Sequence, residues 1–500
     1  MNRKLQLAAV FGDHMVLSRG KNIRVFGEAA EGAAVTLTLA GQRVETTARQ
    51  GRFEAAFAPM QAGGPYVLAA TDGETAIRFS DVMIGDVYLA GGQSNMEWPL
   101  SQAQDGPALV KTLNRPLIRY VNFPYNAWPD EAAAEQERRM RWKPLKPDVC
   151  ADISAVACHF ALYVQPEAGV AIGIIGCFWG GTSVTCWLDE AALRLTTAGT
   201  SLLEGYQARI ADQTEAQYAA EYKAFDETNQ AFWKRVNALR RETPDISWTE
   251  IRQKAGEGQW PPPEGRRSPW RPAGLAETMV ERIAPCTLTG ILYYQGEEDS
   301  KHPQLYRPLL TTLIAFWRGL FRDPALPFLF VQLPMYQEEN ETAAYSWPRI
   351  RQAQAQVYRD VRNTGMAVLI DGGKADNIHP ADKQTVEYRL YLQALRVVYH
   401  KPVQADGPFA LAARRQGNAM VISLSEPVYF NGEPTLFEIA GADGTFHPAL
   451  ANVQDGTLLL TAEEINEPIA ARYAWVNYGK VHAFGETGLP LAPFQFSDTI

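Results

Sequence analysis

Ser94 lies in the stretch Gly91-Gly92-Gln93-Ser94-Asn95-Met96-Glu97-Trp98, directly after the apolar run Val87-Tyr88-Leu89-Ala90. A serine between a strand end and a helix start has two readings. It caps the helix by accepting a backbone N–H, or it is a nucleophile served by a base elsewhere. An isolated junction favours the cap, so other residues have to decide. The nucleophile elbow G-x-S-x-G needs glycine two residues after the serine, where Met96 stands, and this disfavours an α/β-hydrolase. Acyl transfer itself needs only a serine, a base within hydrogen-bond reach and donors for the oxyanion, on any scaffold. His379, in Asp371-Gly372-Gly373-Lys374-Ala375-Asp376-Asn377-Ile378-His379-Pro380, is the candidate base, and Asp376 is the carboxylate placed to orient it. The bland alternative is a polar loop leading into a helix over 381–399. Gly180 and Gly181 offer backbone N–H groups that no Cβ shields, and Gln295 offers a side-chain amide.

The elements that must position these groups are legible as periodicity. From about Ile23 to Arg78, short alternating runs such as Val35-Thr36-Leu37-Thr38-Leu39 predict antiparallel β-structure with one buried face. After Asp81, continuous apolar runs alternate with helical patterns: Val87 to Ala90, Val170 to Ile175, Leu288 to Tyr294, Phe328 to Leu333 and Met366 to Ile370. That order predicts a parallel sheet covered on both faces, with sites beyond the carboxyl ends of its strands. Serine, glycine pair, Gln295 and His379 each follow one of these runs. Tyr218, Tyr222, Phe225, Phe232, Val236 and Leu239 mark an amphipathic helix within an insertion at about 190–260. The stretch from Gln259-Trp260-Pro261-Pro262-Pro263 to Trp270-Arg271-Pro272 is a stiff loop of a kind that often lines sites. Alternation returns from about Pro402, as in Met420-Val421-Ile422-Ser423-Leu424. The chain reads as a β-rich region over 1–80, an α/β region over 81–400 and a second β-rich region over 401–500.

The bulk numbers exclude some classes. A net charge of −9 with both signs scattered gives no basic patch for a phosphate backbone, so nucleic acid is not an expected partner. The 5 cysteines lack C-x-x-C spacing and read as buried thiols, with no metal site expected. The basic start Met1-Asn2-Arg3-Lys4 precedes an apolar run too short for a leader, and no later segment has the ~18 apolar residues of a membrane span. The expectation is a cytoplasmic protein; a homo-oligomer is compatible with the sequence.

Taken together, Gly92-Gln93-Ser94-Asn95-Met96, Trp179-Gly180-Gly181-Thr182, Tyr294-Gln295-Gly296-Glu297 and Ile378-His379-Pro380 resemble the SGNH hydrolases. Within them, the blocks resemble the sialate O-acetylesterases and related carbohydrate acetylesterases. Asp13-His14-Met15-Val16-Leu17, Pro272-Ala273-Gly274-Leu275 and Gly488-Leu489-Pro490-Leu491-Ala492-Pro493-Phe494 extend the likeness over most of the chain, the helical insertion excepted. The resemblance implies a flavodoxin-like three-layer α/β domain with a parallel central sheet, flanked by β-sandwich-like regions. It implies Ser94 as nucleophile, His379 as base, Asp376 as acid, and an oxyanion hole from the N–H groups of Ser94 and Gly181 with the Gln295 amide. Gln295 replaces the Asn of the wider superfamily. Close relatives often place the acid where this chain has Asn377. The implied reaction removes an O-acetyl group from sialic acid or a related sugar through an acetyl-enzyme, which needs no cofactor. Asn95, Trp179 and Glu297 are expected substrate contacts, and Arg271 the partner of a sialic acid carboxylate. Trp98, Trp187, Trp270 and Tyr294 are further candidate sugar faces. The alternatives are an acetyl-xylan or oligosaccharide acetylesterase, and a non-catalytic carbohydrate-binding protein in which Ser94 only caps its helix.

Overall fold

The run Val87 to Ala90 lies in the second half of a far longer strand. In the computed structural model, which describes residues 4–337 and 345–497, β1 extends over Ala76–Gly92. Its first half pairs antiparallel with Gly63–Thr71, and its second half lies between parallel neighbours. The remaining strands of this sheet are β2 (Arg115–Asn122), β3 (Lys143–Leu145), β4 (Ala171–Phe178), β5 (Gly290–Tyr294), β6 (Phe328–Gln332) and β7 (Thr364–Val368). They run in the order β3-β2-β4-β1-β5-β6-β7, all parallel except the edge strand β3. Residues of β4, β5, β6 and β7 are buried throughout, as continuous apolar runs require when both faces are covered. The sequence reading missed β2, whose Arg115, Pro116 and Arg119 break the apolar run. Arg119 is nonetheless buried, because its guanidinium donates to the carbonyl of His14, 2.9 Å away, and to the Asp81 carboxylate, 3.0 Å away.

The β-rich regions follow the expected alternation. In Ala34–Leu39 every second residue is buried, so Val35, Leu37 and Leu39 enter the core while their neighbours stay wetter. Beyond Ala410, two four-stranded antiparallel sheets form, and Ala419–Leu424 is the strand read from Met420 to Leu424. The structure is therefore a mixed α/β protein with one large mixed sheet and additional β-rich regions. All 5 cysteines are free and buried. Among the described residues no helix is long and apolar enough to cross a membrane. The first three residues of the basic start lie outside them.

Four helices matter for the site. Helix α1 (Ser94–Glu97) leaves β1 directly. Helix α2 (Glu215–Glu242) opens with a capping box between Thr214 and Gln217, and α3 (Trp248–Ala255) with another between Ser247 and Glu250. The α2 stripe is buried at Tyr218, Phe225, Phe232 and Val236, where the period predicted. Phe232, Val236, Ile246, Ile251 and Ala255 give the insertion a small core of its own. Helix α4 (Gln384–Val397) starts three residues later than the sequence reading placed it. Lys383 occupies the position before it.

Candidate functional site

The serine turn is built by glycine. Gly92 has φ +129, and a Cβ there would meet the Tyr294 carbonyl oxygen at 2.1 Å, so only glycine lets β1 end against β5. Gln93 then donates its N–H to that same carbonyl at 3.0 Å. The cap position of α1 is Gln93, without a side-chain cap bond, and Ser94 is the first helical residue. The helix-cap reading of Ser94 does not hold. Its Oγ lies 2.8 Å from Nε2 of His379, although 285 residues separate the two.

His379 is reached along the loop after β7. Its ring stacks on Trp98, centroids 5.4 Å apart and planes 25° apart, and Trp248 closes in at 6.4 Å. Nδ1 is buried without a hydrogen-bond partner. Asp376 does not supply one. Its carboxylate accepts the Thr249 N–H at 3.2 Å and its carbonyl accepts the Trp248 N–H at 3.0 Å, both at the start of α3. The free N–H groups and positive end of a helix attract a carboxylate, and the D-x-x-H spacing cannot reveal that such a competitor arrives from the insertion. Asp376→Asn keeps an oxygen for Thr249, so we expect kcat within about threefold of the parent. A triad acid would cost ~10⁴ on the same change, and steady-state hydrolysis of p-nitrophenyl acetate separates the two.

Two basic side chains pack against the Trp98 ring on which His379 stacks. Arg240, on the buried face of α2 four residues after Val236, packs its guanidinium 4.6 Å from the Trp98 ring centroid, 5.4 Å from Trp248 and 5.6 Å from Trp233. Its Nη2 is buried without a partner. Lys383 lies 5.5 Å from the Trp98 ring and donates to Asn95 Oδ1 at 2.7 Å. Burial above all, with Arg240 and Lys383 adding to it, pushes the His379 pKa well below its ordinary 6.5. Burial lowers Arg240 to about 10 and Lys383 to about 7, the latter against the pull of Glu297 and Glu387. The resting imidazole is neutral. Sequence reasoning missed Arg240; a lone cation continuing the spacing Phe232, Val236 on an otherwise apolar stripe was the available signal.

The expected substrate contacts divide. Asn95 and Glu297 are buried and face each other, Asn95 Nδ2 donating to Glu297 Oε1 at 2.7 Å and to the Ile378 carbonyl at 3.0 Å. They tie α1 to the histidine loop and are not open to a ligand. Arg271 is also committed elsewhere: Nη1 donates to the carbonyls of Ala127 and Ser268 at 2.7 and 2.8 Å, and the guanidinium lies 5.2 Å from the Trp128 ring. Through Nη1 it staples two loops together, a role the sequence reading did not foresee for it. Trp98, Trp187 and Tyr294 are core residues. Trp179 and Trp270 are half-buried, and Trp270 Nε1 donates to the Gly180 carbonyl at 3.0 Å.

The glycine turn beside Ser94 is as the sequence suggested. A Cβ on Gly180 would lie 3.4 Å from Ser94 Cβ and 3.2 Å from Glu97 Oε2. Gly181 has φ +67, and a Cβ there would strike the exposed Trp260 ring at 2.2 Å. Glu97 was not singled out: it accepts from the Tyr125 hydroxyl at 3.0 Å, and burial raises its pKa. Gln295 departs from expectation. Its Nε2 faces Thr182 O at 3.1 Å, Gln93 Oε1 at 3.3 Å and the Asp299 carboxylate, so its two N–H groups already have three acceptors. Asp299 also draws donors from Ser183 and Val184, at 2.7 and 2.9 Å. A buried carboxylate left short of donors is costly, and this one holds the amide away from any oxyanion.

Comparison with known proteins gives likenesses of three kinds. Residues 267–390, which include His379 but not Ser94, match the family described as "Carbohydrate esterase, sialic acid-specific acetylesterase". The sialate O-acetylesterase of Mus musculus is 27% identical over 519 residues, covering 95% of this chain and 90% of its own. That of Rattus norvegicus is 29% identical over 446 residues, covering 81% and 75%. A crystal structure of a carbohydrate acetylesterase from Xanthomonas citri superposes with a TM-score of 0.77 at 27% identity, over 99% of both chains. The likenesses to the mouse relative and to the Xanthomonas citri structure run nearly from end to end, and in them the chain is similar to sialate O-acetylesterases and to a carbohydrate acetylesterase.

Proposed function

We propose that this protein is a serine esterase that removes O-acetyl groups from a sugar, sialic acid first among them, through an acetyl-enzyme. The observation that carries the reading is the 2.8 Å approach of Ser94 Oγ to His379 Nε2. In this mechanism the neutral imidazole takes the Ser94 proton as Oγ attacks the acetyl carbonyl. The tetrahedral oxyanion then faces the N–H groups of Ser94 and Gly181. His379 returns the proton to the departing sugar hydroxyl, giving acetyl-Ser94. It next takes a proton from water, which attacks the ester, and passes that proton to Ser94 Oγ as acetate departs. The Ser94 N–H suits this role because the first residue of a helix has no intrahelical acceptor for it, and the helix start favours negative charge. Parallel strands that deliver serine, glycine turn and histidine from their carboxyl ends support an SGNH-type three-layer reading of the central region. Trp179, Trp270, Tyr125 and Trp260 border the Gly180–Gly181 turn and provide aromatic faces for a pyranose.

Sialic acid as substrate is supported by the names of the relatives. The test is acetate release from O-acetylated sialic acid and from acetylated xylo-oligosaccharides, beside labelling by a fluorophosphonate. Expected are release from the sialic acid and a covalent label on Ser94 that Ser94→Ala abolishes. Activity confined to the xylan fragments would overturn the sialate assignment and leave the esterase. A protein that neither hydrolyses p-nitrophenyl acetate nor takes the label is the carbohydrate-binding alternative.

A further inference from the structure

His379 lacks the carboxylate that ordinarily fixes a catalytic imidazole, yet its ring is held. The hold comes through the loop. On one side Asn95 Nδ2 donates to the carbonyl of Ile378, the residue just before the histidine. Asn377 Oδ1 accepts the His379 N–H at 2.9 Å, a local turn that sets the backbone of the loop. The other side belongs to the insertion. Asp245, in the segment between α2 and α3, reaches both stems of the loop with one carboxylate. Oδ2 pairs with Lys374 Nζ at 2.6 Å and Oδ1 accepts the Ala381 N–H at 3.0 Å. Three and four residues further on, the first two N–H groups of α3 take the backbone and side chain of Asp376. Trp248, at the same helix start, lays its indole beside the imidazole.

We infer that Asp245 is a positioning residue for His379, supplying through the loop backbone the orienting part of what a triad carboxylate does through Nδ1. The inference deepens the esterase reading and rests on it. The physical argument is one of leverage. Lys374 and Ala381 flank the histidine, so a group that bridges them fixes the width of the loop mouth, and with it the distance from Nε2 to Ser94. A displacement of ~1 Å at a reacting atom can cost ~10²-fold in rate. The Lys374 pair is partly exposed and contributes little by itself. The Ala381 N–H bond is the part that sets position, and it needs an oxygen, not a charge.

The test is a pair of variants in the full-length protein. Asp245→Ala should lower kcat on p-nitrophenyl acetate about tenfold or more with KM changed less than twofold, and slow fluorophosphonate labelling of Ser94 in parallel. Asp245→Asn retains one oxygen for Ala381 and should recover most of the loss. Should the alanine variant not fold, Asp245→Ser, too short for both partners, carries the same expectation. An Asp245→Ala enzyme with parental kcat, or equal losses in the alanine and asparagine variants, would overturn the positioning role. His379→Ala, run alongside, keeps the two readings apart. If it is inactive while Asp245→Ala is not, only the role of Asp245 fails; if it is fully active, the esterase reading fails with it.

Discussion

His379→Ala is expected to lose about 10⁴–10⁶ of the turnover, the range seen when the base or nucleophile is removed from a unit that works together. Ser94→Ala should lose as much, and the double variant no more than either, because each single change already disables the 2.8 Å pair. Residual activity reflects binding and the oxyanion donors alone. The same chemistry fixes the pH dependence. The working base is the neutral imidazole, and burial with Arg240 and Lys383 holds its pKa well below 6.5. As pH falls through 6.5 an ordinary histidine would charge and stop working, whereas His379 stays neutral. The acid limb of kcat/KM in the parent enzyme should therefore lie well below 6.5. An acid limb at 6.5 or above would contradict the buried, cation-flanked surroundings described for the base.

Trp98→Ala is expected to be the most damaging change to both stability and rate that leaves the reacting atoms in place. The indole is buried, stacks on His379 and receives the faces of two cations, Arg240 and Lys383. Truncating a buried tryptophan typically costs about 3–5 kcal/mol, a large part of the ~5–15 kcal/mol by which a domain is stable. Turnover should fall by roughly 10²-fold as the ring of the base loses its platform. Thermal unfolding and steady-state kinetics read the two effects separately. Trp98→Phe preserves a stacking face and should recover more of the rate than of the stability. A Trp98→Ala enzyme with parental kcat would show that the stack does not orient the imidazole.

The parts of the site that the sequence disclosed are those set by local pattern. An apolar strand ending in glycines, followed by Ser94, is a statement about neighbours in the chain, and so is Gly180–Gly181 after β4. The parallel sheet follows from the same logic, since its strands are too apolar to face water. What escaped depends on competition between distant groups. Asp376 has the right spacing for His379, but the start of α3 offers its carboxylate one N–H and its backbone carbonyl another, which no spacing rule contains. Gln295 stands at the right strand end, but Asp299 one turn later claims its amide. Arg271 has the right chemistry for a carboxylate, but two backbone carbonyls reach it first. In each case the residue type was informative and the partner was not, because a buried polar group takes the nearest partner that desolvation leaves it.

The 17 residues of β1 carry a further implication for how the molecule can move. A single strand, irregular at Asp81 where φ is +53 and the antiparallel register shifts, enters from the front where it pairs with Gly63–Thr71 and ends at Gly92, two residues before the nucleophile. No linker intervenes. The histidine side has no such strand; it sits on a loop pinned by an insertion. Whatever flexing the enzyme undergoes during turnover should thus be borne by the base, with the serine as the fixed point against which it moves.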